Sequence, residues 1–67
     1  MSELEKELRS SIGKWISIRY IIPHEGKEEI TGTLVKVTNE IIEVVAGKTR
    51  YFINRKQSVL TGLSIAE

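Results

Sequence analysis

Asn54-Arg55-Lys56-Gln57 joins two apolar runs in a way that invites a chemical reading. An asparagine amide carries both a donor and an acceptor, and an arginine plane binds anions or stacks on flat rings. Set in a turn, these residue types also have a plain use, because polar side chains dominate turns. Thr38-Asn39-Glu40 is a second polar break, between two further apolar runs. Trp15 and Tyr20 are faces on which a base could stack, although Tyr20 shares its phase with Ile16 and Ile18 and so reads as core. His24 beside Glu25 raises acid–base chemistry, but the Pro-His-Glu-Gly setting reads as a solvated turn with no catalytic partner. Gly26-Lys27 and Gly47-Lys48 lack the rest of a phosphate loop. We therefore expect no enzyme and no cofactor.

The elements that must position these residues are short. Sixty-seven residues make one domain, 1–67. A chain of that size buries only about 60% of its unfolded surface, so its core needs support. With no cysteine and a single histidine, disulfides and thiolate metal sites drop out, which leaves association between copies, or an unusually good core, as the support. The net charge of +1 says little about partners, yet the charges are segregated. Acid gathers at Glu3, Glu5 and Glu7 and at Glu25, Glu28 and Glu29. Residues 48–56 hold Lys48, Arg50, Arg55 and Lys56 and no acid. There is no apolar stretch long enough to span a membrane, and the acidic start is unlike a signal peptide, so the expected location is cytoplasmic.

Residues 2–12 predict a helix, with Ser2 and Glu5 forming a capping box and Leu4, Leu8 and Ile12 on one stripe. From Lys14 the period becomes two, with Ile16, Ile18, Tyr20 and Ile22 on one face of a strand. Pro23–Lys27 is a turn. A second strand runs over about 28–38, where Val35 and Val37 fall out of phase with Ile30 and Leu34 near Gly32, the mark of a bulge or bend. Third and fourth strands span 41–45 and 49–53 about a Gly47 turn. A fifth begins at Ser58 and can continue into the tail. One helix and five short strands predict a mainly β, strongly bent SH3-like barrel over about 14–65. Its apolar edges, Tyr51, Phe52 and Ile53 on the fourth strand and Val59 and Leu60 on the fifth, are expected to pair between copies. A heterologous contact that closes makes a ring.

This order resembles the Sm-like family, which includes the bacterial RNA chaperone Hfq and the Sm and LSm proteins. Ile30-x-Gly32-x-Leu34 resembles the core of the first Sm motif, and Phe52-Ile53-Asn54-Arg55-x-x-Ser58-Val59 resembles the second. The resemblance spans Leu4 to about Leu60. It implies a homo-oligomeric ring of roughly five to seven subunits that binds single-stranded, uridine-rich RNA without covalent chemistry. Asn39, Asn54, Arg55 and Lys56 fall at the implied RNA-binding positions, and Tyr51, Phe52, Ile53, Val59 and Leu60 at the subunit contact. Thr38 stands where the family carries aspartate, and Lys56 where it carries glycine. An alternative from another class is a protein-interaction module on the same barrel that ignores nucleic acid.

Overall fold

The computed structural model describes residues 2–66. Helix α1 (Glu3–Ser10) precedes strands β1 (Trp15–Ile22), β2 (Gly26–Val37), β3 (Ile41–Ala46), β4 (Thr49–Asn54) and β5 (Val59–Ile65). The mainly β architecture expected from the alternation is present: all strand pairs are antiparallel and run β4-β3-β2-β1-β5 in one bent sheet. The two edges are therefore β4 and β5. Among the described residues no helix is long and apolar enough to cross a membrane.

Helix α1 starts as its sequence dictates, but only half of the capping box forms. Ser2 accepts the Glu5 N–H at 3.2 Å, while the Glu5 carboxylate turns away to two arginines instead of back to Ser2. The helix also stops two residues earlier than residue 12. The Ser11 hydroxyl caps the Glu7 carbonyl at 2.7 Å, and Gly13, at φ 92°, donates to the Leu34 carbonyl at 2.7 Å. The strand contact outcompetes another helical turn, so Ile12 lies outside the helix and exposed, and Leu8 alone of the predicted stripe is fully buried.

The concave side of the sheet holds the core. Ile16, Ile18 and Tyr20 enter it from β1 at alternate positions, and Leu34, Val37, Ile42, Val44 and Ile53 complete it with Leu8 as a lid. Trp15, out of phase with that set, is exposed and lies opposite Thr33. The predicted irregularity in β2 falls at Val35. Leu34 pairs with Val44 and Lys36 with Glu43, so Val35 is an extra residue, and the bulge returns Val37 to the core face. A second bulge, at Thr61, lies where Arg19 pairs with Gly62 and Tyr20 with Leu60. His24, at φ 72°, is an exposed turn residue, in keeping with its sequence setting.

One edge assignment needs correction. Ile53 is only 2% exposed and belongs to the core, because its register partner is the buried Ile42. Tyr51, Phe52 and Val59 do remain exposed, and Leu60 is half-buried against the core.

Candidate functional site

The turns after β2 and after β4 lie at the same end of the sheet, because β2, β3 and β4 form two consecutive antiparallel pairs. Each is built by its own polar side chains. In the first, the Thr38 hydroxyl accepts the N–H groups of Glu40 at 3.1 Å and Ile41 at 2.9 Å. In the second, the Asn54 side-chain oxygen accepts the Lys56 N–H at 2.9 Å, and its carbonyl accepts the Ser58 hydroxyl at 2.6 Å. Such local bonds are why threonine and asparagine favour turns over strands. A backbone bond from the Arg55 N–H to the Glu40 carbonyl, at 2.8 Å, ties the two turns together.

Arg55 is the centre of this region, and it is engaged. Its guanidinium donates to the Thr38 carbonyl at 2.6 Å and grips both oxygens of Glu5, one of them at 3.2 Å. Both side chains of that pair are largely shielded, at 17% and 18% exposure. The same Glu5 carboxylate accepts from Arg9 at 2.8 Å, one helical turn on, and Arg9 reaches the Asn39 side-chain oxygen at 3.3 Å. A continuous polar chain therefore runs Asn39–Arg9–Glu5–Arg55–Thr38 and fastens the helix to both turns. Fork-to-fork arginine–carboxylate geometry makes the Glu5–Arg55 link the strongest of these.

All four residues nominated for RNA contact stand at this end, in three different situations. Arg55 is consumed internally. Asn39 and Asn54 each have the side-chain oxygen occupied, by Arg9 and by the Lys56 N–H, which leaves their amide N–H groups facing solvent-exposed ground. Lys56 is exposed, and among the described residues its ammonium has no ion-pair partner. A shallow groove of about 290 Å³ beside Arg55 is lined by Ser2, Leu4, Glu5 and Ser58. Glu5 and Arg9 were not singled out as site residues by sequence. Their i,i+4 spacing is a legible helix pair, but nothing local shows that it points at Arg55.

The arginines hold the Glu5 carboxyl below its ordinary value near 4.5, with the Arg55 hydrogen bond the largest cause and Arg9 adding to it against the opposing effect of burial. The unfolded chain therefore takes up this proton first as pH falls, and the stability carried by the ionised group is lost below about pH 4.5. We expect the melting temperature of the wild type to exceed that of Glu5→Gln near neutral pH and the gap to close on acidification. A gap that persisted unchanged to pH ~3 would show that Glu5 contributes by packing rather than by charge.

No protein-family model, curated protein or solved structure matches this chain, so the site stands on its own geometry.

Proposed function

We propose that this chain is an Sm-like domain whose copies assemble edge to edge into a ring and bind single-stranded RNA on the face bearing the two polar turns. One observation carries this reading: the sheet leaves β4 and β5 as its edges, and Asn39, Asn54 and Lys56 meet at one end of it. Lys56 supplies a mobile positive charge for phosphate. The two asparagine amides supply donors for base edges or sugar hydroxyls. Arg55 is assigned a supporting role here, holding the turns at a fixed separation through Thr38 and Glu5. Binding is non-catalytic and works by holding or annealing strands.

Lys56 is the residue to replace, since its ammonium makes no contact that folding needs. Titrating labelled oligouridine at rising salt should show affinity falling steeply, because phosphate contacts release counterions. Lys56→Ala should weaken binding at every salt and lower the slope of log K against log salt by about one. An unchanged slope would remove Lys56 from the phosphate contact.

A second reading draws support from the same contacts. With Arg55 neutralised by Glu5, and Phe52 and Val59 exposed at 61% and 59%, the edges suit a protein partner better than they suit a polyanion. Docking through apolar edges responds weakly to salt, so the same titration, run with oligouridine and giving no binding at low salt, would favour it.

A further inference from the structure

The opposite end of the sheet carries a groove of different character. About 310 Å³ in volume, it is lined by Tyr20, Tyr51, Glu28, Glu29, Ile30, Thr31 and Ala46. Unlike the grooves beside Arg55 and beside Arg19, it has no lysine or arginine in its wall. The register explains why these groups meet. Tyr20 pairs with Glu28 across β1 and β2, and Tyr51 pairs with the buried Val44, so its ring lies on the concave side. Strand pairing at the β4 edge would use backbone groups and leave that ring in place.

The two carboxylates differ. Glu29 is already satisfied, accepting the Ser17 hydroxyl at 2.9 Å and lying 3.7 Å from Arg19. Glu28 has no ion-pair or hydrogen-bond partner among the described residues. Its charge is felt inside the groove, where the Tyr20 hydroxyl is pushed above its ordinary value, mainly by burial and further by Glu28. An uncommitted carboxylate, two tyrosine rings and an aliphatic wall repel phosphate and match a cation on an apolar stem.

We propose that this groove binds a single arginine side chain presented by a partner protein segment. The aliphatic stem lies along Ile30 and Ala46, the guanidinium plane stacks against the exposed Tyr51 ring, and Glu28 accepts its N–H groups. Arginine fits better than lysine because its planar, weakly hydrated head both stacks and forks onto a carboxylate. The volume lies at the small end of ligand pockets, ~300–1,000 Å³, which suits one side chain rather than a folded surface. This site is independent of the RNA-binding face and does not rest on it.

The test is a titration of the isotopically labelled full chain with a short Gly/Ser peptide carrying one central arginine, followed by NMR. We expect saturable shifts centred on Tyr20, Glu28 and Tyr51. The matching citrulline peptide, which keeps the shape and loses the charge, should bind about fivefold or more weakly, and Glu28→Gln should cost a similar factor. Tyr51→Ala should do the same; should that variant fail to fold, the exposed Glu28→Gln still decides. Absence of saturable shifts at millimolar peptide would overturn the proposal. So would equal binding of citrulline, tighter binding of the lysine peptide, or a response of these residues to oligouridine instead.

Discussion

Gly32→Ala should remove most of the stability of this protein. A methyl group built on Gly32 would sit 2.6 Å from the Val45 carbonyl oxygen and 2.9 Å from a Val44 methyl. The first neighbour is backbone and cannot rotate aside, so β3 would have to move away from β2. That movement is resisted on every side. Gly32 pairs with Ile16 of β1, its neighbours Thr33 and Leu34 pair with Val45 and Val44, and Ile16, Leu34 and Val44 are fully buried. Overpacking of a tight core typically costs up to about 3 kcal/mol. Since a domain of this size holds only roughly 3–5 kcal/mol in all, little would remain. The expected drop in melting temperature is about 15 °C, at several degrees per kcal/mol for a small domain. Gly62→Ala is the internal control. Its methyl also meets an atom at 2.6 Å, but that atom is the tip of the flexible Arg19 side chain, which can swing away. Near-neutral behaviour at Gly62 beside a large loss at Gly32 is the expected contrast. A Gly32→Ala protein as stable as the wild type would mean that the β2–β3 contact is loose.

On the edge-paired ring proposed above, Phe52→Asp combined with Val59→Asp should reduce the native mass from about five to seven chains to a single chain. Phe52 and Val59 stand on the convex side of β4 and β5, the two strands with an unpaired edge. Neither belongs to the core cluster, so the substitutions add charge to the edges without opening a cavity. The far-ultraviolet circular dichroism should therefore keep its β character while light scattering reports the smaller mass. A double variant with the mass of the wild type would refute edge pairing. A wild type that is itself monomeric would remove the ring and leave the interaction-module reading in front.

Much of the fold could be read in advance because its signals are local. Strict alternation of Ile16, Ile18 and Tyr20 places three side chains on one face of any strand, whatever lies opposite. Pro23, Gly26 and Gly47 interrupt the strands at points where the backbone must turn, and Gly26 and Gly47 adopt φ 111° and 64° there. Gly32 stood beside a phase change, and the bulge lies three residues on, at Val35. The sequence was less reliable where one local rule competed with a distant contact. The helix stripe pointed to residue 12, and the bond from Gly13 to Leu34 ended it sooner. Ile53 looked like its edge neighbours, yet pairing with Ile42 turned it inward.

The site divides along the same line. Composition and turn chemistry alone determined that polar residues would gather at Thr38–Glu40 and Asn54–Gln57, because threonine and asparagine satisfy turn backbone with their own side chains. Only the tertiary structure decided what those residues are free to do. Glu5 lies 50 residues before Arg55, and no spacing rule links them; folding of the helix onto the sheet brings the carboxylate to the guanidinium. That contact turns the most conspicuous candidate ligand into a fastening and leaves Lys56 exposed beside it. The antiparallel strand order also sets the two ends of this small sheet apart. One end offers amide donors and an uncommitted cation, and the other, at Glu28 and the tyrosines, an uncommitted anion. Periodicity shows the face a residue takes along its own strand, whereas the partner it meets depends on strand register and on how the helix closes the core.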